Sequence, residues 1–113
     1  ERDQERVMGR TKHESHELDD KPETSHVART ELHDEHGEEL PIFRRSVPYG
    51  NAGAHGLMFV GFACEQRRLQ RMLERMAGAD GPRDALTRFS KPLTGSYYVV
   101  PSIQALLDLS QTG

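Results

Sequence analysis

An α+β domain, an antiparallel sheet backed by helices, is what the sequence predicts, and three features predict it. A nearly continuous apolar run, Gly56 to Cys64, reads as a strand with cover on both faces. Directly after it, Glu65 to Ala77 sets Leu69, Met72, Leu73 and Met76 at i, i+3, i+4 and i+7, the spacing of one helix face. Turn-forming residues bound further short runs before and after this pair. Strands followed by a helix and a returning strand suggest the ferredoxin-like arrangement. A length of 113 residues has room for one such domain.

Taken in order, Glu1 to Met8 can form a helical turn that Gly9 ends, and Lys21-Pro22 breaks any continuation, because the residue before proline avoids the helical region. Residues 1–24 therefore read as an irregular, charged, solvated arm, and residues 25–113 as the folded domain. Asp34 to Glu38 reads as a hairpin turn between strands at Val27 to Leu32 and Leu40 to Pro48. Pro48 to Gly53 makes a second loop. Period two then puts Leu57, Phe59, Gly61 and Ala63 on one face of the main strand, and Met58, Val60, Phe62 and Cys64 on the other. In the helix that follows, Arg67, Arg68, Arg71, Glu74 and Arg75 fall mostly on the solvent side, and Gly78 ends it. A last strand is expected at Ser96 to Val100, and Ser102 can cap a short helix through Leu109.

Charge is unevenly spread. Residues 1–40 carry 13 acidic and 6 basic side chains with 7 apolar ones, whereas residues 41–113 carry 5 acidic and 9 basic with 32 apolar ones, so the core must come from the second part. A formal net charge of -3 argues against sequence-independent nucleic-acid binding, which needs surplus Lys and Arg to neutralise phosphates. No apolar run is long enough to span a bilayer. The single cysteine, Cys64, cannot form an internal disulfide, which fits a reducing cytoplasm. A chain that opens at Glu1 rather than Met reads as a fragment or a processed product.

Several segments stand out together: Gly9-Arg10-Thr11-Lys12, Ser25-His26-Val27-Ala28-Arg29, Ile42 to Gly50, Gly56 to Phe62, Met72 to Met76, and Phe89-Ser90-Lys91-Pro92-Leu93-Thr94-Gly95. In this order and spacing they closely resemble the C-terminal half of dye-decolorizing peroxidases, most of all the bacterial, cytoplasmic class B branch, from about Arg6 to Leu107. The resemblance implies half of a dimeric α+β barrel-type enzyme. It also implies haem b (iron protoporphyrin IX) on an axial histidine, and hydrogen peroxide cleaved opposite by an Asp and an Arg. Bulky organic reductants, with porphyrinogens among the candidates, would supply single electrons, and a homo-oligomer is expected.

By the same resemblance, His26 matches the axial histidine and iron ligand, Arg44 the distal arginine, and Ser46 the distal Asn or Ser two residues later. The family's distal aspartate sits in a Gly-x-x-Asp-Gly motif upstream, which this chain lacks. The N-terminal half of the polypeptide is thus the first partner expected. Family members often place a carboxylate directly before the Phe-Ser pair to accept from the axial imidazole. Arg88 stands there instead, leaving Asp84, a backbone carbonyl or water as the acceptor.

Physical chemistry runs the same way. An axial imidazole needs an acceptor for its second N–H. A guanidinium that never loses its proton can stabilise charge developing as a peroxide bond breaks, and Ser46 can hydrogen-bond peroxide or water. Leu57 and Phe59 are wall candidates for a macrocycle, with Met72 as a weaker one. Arg10 and Arg29 are candidates for its propionates, against a solvated role of equal weight.

Each residue has a blander reading. A lone histidine is more often a surface residue than a ligand. His33 and His36 on a turn tip lack a third ligand for a metal site, and Cys64 reads as a small buried hydrophobe. The helix arginines look like a solvated face rather than a nucleic-acid patch. Two rival functions remain at this level: a non-catalytic haem-binding or haem-handling domain, and a structural α+β dimerisation domain without haem. Absorbance in the Soret region separates the last from the others.

Overall fold

Ser25 begins the segment that organises this protein, whose computed structural model describes all residues from Glu1 to Gly113. The Ser25 hydroxyl accepts from the Ala28 amide, and its backbone sits in the extended region that a helix N-cap requires. The chain therefore turns into a helix at His26–Thr30 (α2), where the apolar pattern had suggested a strand at Val27 to Leu32. Capping chemistry overrides the β preference of Val27, which is buried instead among helices. The turn at 34–38 is present, with Asp34 and Glu38 paired and Gly37 at φ 80°. It closes a single bridge between His33 and Glu39 and no longer hairpin.

Residues 1–24 are mostly exposed turns and loops after an initial helix. Arg2–Met8 is a helix (α1), ended by Gly9 in the left-handed region with φ 85° and its N–H on the Glu5 carbonyl. Gly9 is required twice over, since a Cβ there would also lie 2.9 Å from the Ser25 hydroxyl. The arm thus folds onto the cap of α2, and a bridge between Arg10 and Glu17 closes the loop behind it.

The sheet has two antiparallel strands, Phe43–Gly50 (β1) and His55–Phe62 (β2). Asn51 turns the corner, its side-chain oxygen accepting from the amides of Gly53 and Ala54. The register sets Arg44 opposite Gly61, Ser46 opposite Phe59 and Pro48 opposite Leu57. Phe43, Arg45, Val47 and Tyr49 lie on the other face with Phe62, Val60, Met58 and Gly56. The Phe43 and Phe62 rings meet at 6.2 Å between centroids.

After β2 comes Gln66–Met76 (α3), then a 3₁₀ turn at Ala85–Arg88 and a helix at Ile103–Gln111 (α4) capped by Ser102. The apolar stripe of α3 packs mainly on α2, with Leu69 reaching β2 at Gly61. Met72, two per cent exposed, is buried in that helix–helix seam. Arg68 and Arg75, expected in solvent, are largely covered as well. The strand expected at Ser96 to Val100 does not form, and the only sheet is the β1–β2 pair. Tyr98, Val99 and Val100 are consequently exposed, and so is Cys64 just beyond β2.

Only nine residues are buried, and the core of Val27, Leu32, Met72 and Ala85 belongs to the helical part. The expected cover on both faces of β2 is absent within the chain: Leu57, Met58, Phe59 and Phe62 are each about half or more exposed. The radius of gyration, 17.2 Å, exceeds the roughly 13 Å of a compact domain of this length. Contiguous apolar area of this kind drives association. In sedimentation velocity at micromolar concentration, the 113-residue chain alone is therefore expected to self-associate. A single, concentration-independent monomer boundary would contradict that reading.

Candidate functional site

His26 is the first residue of α2, so its ring leaves the helix at the capped end, partly exposed. Its Nδ1 lies 2.7 Å from Oδ2 of Asp84, fifty-eight residues away in sequence. Asp84 is fully buried. It caps the 3₁₀ turn, its Oδ1 accepting from the Leu86 amide at 2.8 Å, so its two oxygens serve different partners. The backbone around it is equally committed: the Asp84 amide donates to the Met76 carbonyl and the Ala85 amide to the Thr24 carbonyl. A carboxylate held this way has one orientation to offer the imidazole.

The consequence is a defined tautomer. With Nδ1–H donated to Asp84, the lone pair of a neutral His26 resides on Nε2, which has no protein partner on this partly exposed ring. Asp84 is thus the acceptor among the three candidates, four residues ahead of Arg88, which stands at the end of the 3₁₀ turn with an exposed side chain. The signal was legible as an Asp N-cap just after a Gly- and Pro-containing loop, although nothing local in the sequence links it to His26.

A second group forms on the hairpin. Arg44, Ser46, Leu57 and Phe59 share one face by register, and neither polar side chain has a hydrogen-bond partner within the chain. Gly61, opposite Arg44, completes this face: a Cβ there would lie 3.2 Å from the Phe59 ring and 3.1 Å from Leu69 Cδ2. The missing side chain lets the Phe59 edge lie along the strand beside the arginine. No hydrogen bond or ion pair joins this group to His26 and Asp84.

Two expected site residues are engaged elsewhere. Arg29 follows His26 by one helical turn, yet its guanidinium is buried, paired with Asp80 and donating to the Arg75 carbonyl at 3.1 and 3.2 Å. Two of its three guanidinium nitrogens, Nε and Nη2, are thus engaged within the protein. Arg10 donates to the Ser15 carbonyl at 2.9 Å within its own loop, with Glu17 at 3.8 Å, and stays half-exposed. No three His, Cys, Asp or Glu side chains converge to hold a bare metal ion, and His33 and His36 gather no third ligand.

Residues 2–105 match the family described as Dyp-type peroxidase, C-terminal. A dye-decolorizing peroxidase of Mycolicibacterium paratuberculosis is 37% identical over 112 residues, covering 94% of this chain and 32% of the relative. Among solved structures, a dye-decolorizing protein from V. cholerae aligns with a TM-score of 0.71 at 43% identity, over 77% of this chain and 30% of that one. A DypB variant from Rhodococcus jostii RHA1 in complex with heme aligns with a TM-score of 0.71 at 37% identity, over 76% and 30%. The chain spans about a third of the length of the curated relatives it matches. Helices with an antiparallel sheet, together with these likenesses, bear out the α+β, ferredoxin-like class. With its matched residues and its likeness to solved members in agreement, the chain belongs to the Dyp-type peroxidase family, in that family's C-terminal region.

Proposed function

We propose that this chain is the haem-holding portion of a peroxidase that reduces hydrogen peroxide and oxidises bulky organic donors. His26 is its axial ligand, and Arg44 with Ser46 attends the peroxide. The observation that carries the reading is the His26–Asp84 pair: one ring nitrogen anchored on a buried carboxylate and the other open. Metal-bound histidines characteristically donate their second N–H in this way.

The residues fit an iron porphyrin better than a bare ion. A single histidine with no convergent neighbours can complete the coordination only of a metal whose other ligands arrive with it, as in haem b. When bound, the group supplies the redox chemistry toward peroxide. Asp84 orients the imidazole and raises its basicity. Leu57 and Phe59 offer an apolar wall, and Arg44 offers a fixed positive charge where negative charge develops on the peroxide oxygens. Ser46, two residues along the same face, can donate to or accept from peroxide or water.

In this reading the proton-transferring distal aspartate comes from the rest of a longer polypeptide, as the relatives' greater length allows. Ser46 supports the class B assignment and porphyrinogen-like donors, and the open apolar hairpin supports a homo-oligomer. A single free cysteine supports a reducing, cytoplasmic location. No helix is long and apolar enough to cross a membrane.

The test is an absorbance scan of the full-length protein for a Soret band, followed by Asp84→Asn. Loss of an outer-shell partner typically costs about 10- to 100-fold in metal affinity or activity. The variant is expected to bind haem that much more weakly or turn over that much more slowly. Unchanged haem affinity and unchanged peroxidase turnover would remove Asp84 from the site.

A further inference from the structure

The helix that bears His26 has five residues, too few to hold its own geometry in water. Its direction must come from tertiary ties, and the ties form a closed set. Arg29 on α2 reaches across to the C-terminal end of α3, where Nε and Nη2 both donate to the Arg75 carbonyl. Arg75 on α3 reaches back, its Nη1 donating to the Glu31 carbonyl at 2.6 Å and its Nη2 to the Ala28 carbonyl at 3.1 Å. Each arginine thus donates to carbonyls in the last turn of the other's helix or just beyond it. Asp80 sits between them, paired with Arg29 and with Oδ2 3.4 Å from Arg75 Nε.

Asp80 also belongs to the loop that delivers Asp84. That loop leaves α3 at Met76, turns at Gly78 with φ 86°, and closes where the Asp84 amide donates to the Met76 carbonyl. Helix α2 and this loop therefore meet at two points, His26 with Asp84 and Arg29 with Asp80, each spaced by about one helical turn. The side chain of Arg29 is almost fully buried, where a charge persists only if paired. One hinge point would let α2 swivel about the His26–Asp84 bond. Two points remove that freedom.

We propose that Arg29, Arg75 and Asp80 are positioning residues for His26, fixing the tilt of α2 against the Asp84 loop so that Nδ1 stays aligned on the carboxylate and Nε2 keeps one direction. This rests on the reading of His26 as axial ligand. None of the three touches the cofactor; they act through the geometry of the pair.

The experiment uses the full-length protein with Asp80→Asn, Arg75→Lys and, for reference, Asp84→Asn. Arg75→Lys keeps the charge but loses the fork that spans two carbonyls. Hydrogen exchange on the cofactor-free protein should show amides 28–31 exchanging about 10-fold faster or more, the size expected for one lost tie of this kind, with β2 unchanged. In the ferrous haem protein, the iron–histidine stretching frequency should fall in Asp80→Asn and Arg75→Lys toward the value in Asp84→Asn. A fall in either clamp variant supports the proposal, and if one fails to fold the other carries the test. If the frequency stays at the wild-type value in the folded clamp variants while Asp84→Asn lowers it, the clamp serves stability alone and the proposal is overturned. If Asp84→Asn leaves the frequency unmoved as well, the axial reading of His26 falls, and the proposal with it.

Discussion

His26→Ala in the full-length protein is expected to abolish haem retention or leave a weakly ligated spectrum, the largest effect any single substitution here should have. His26 is the one histidine whose ring pairs with a buried carboxylate while its second nitrogen has no protein partner. His13, His16 and His36 stand in solvent, their rings at least three-quarters exposed with only exposed glutamates nearby, and His33 and His55 are exposed too. None of these can replace it without a rearrangement of the backbone. The check is the Soret band and ferric spin state of the purified variant. If both match the wild type, the axial assignment is wrong.

Arg44→Leu should leave the ferric spectrum intact and slow the reaction with peroxide by about 10²- to 10³-fold, the usual loss when one preorganised electrostatic contact to a developing charge is removed. The reason is that the guanidinium acts on charge absent from the resting state, so haem affinity is not its business. Arg45 is the internal control. It points from the opposite face, across from Val60, and Arg45→Leu should keep the wild-type rate. Stopped-flow mixing with peroxide reads both variants. A wild-type rate in Arg44→Leu, or an equal loss in Arg45→Leu, would show that the hairpin face has been misassigned.

Local chemistry written into consecutive residues was enough for part of this. The apolar run at 56–64, the i, i+3, i+4, i+7 stripe of α3 and the Ser102 cap each specify their own element to within two residues. Period two alone puts Arg44 with Ser46, and Leu57 with Phe59, on shared faces, and the antiparallel register then brings the two pairs together. His26, Arg44 and Ser46 are singled out by family resemblance rather than by periodicity.

What the sequence alone could not decide lies where distant residues compete. Ser25 made a helix of a stretch whose β-branched and apolar content favours a strand, because the cap, the Gly9 approach and burial beside Met72 all reward it. The stretch at 96–100 has strand composition but pairs with no other strand, and pairing rather than propensity makes a strand. Met72 and Arg29 read as pocket residues from the sequence, and the structure packs both between α2 and α3. Arg75 reads as solvent-facing by helical period, yet carbonyls 44 and 47 residues away draw it inward. The Asp84 partner of His26 is the clearest case. A hydrogen bond across 58 residues leaves no periodic trace in the chain, and only the closure of the Met76–Asp84 loop against α2 brings the carboxylate within 2.7 Å of the ring.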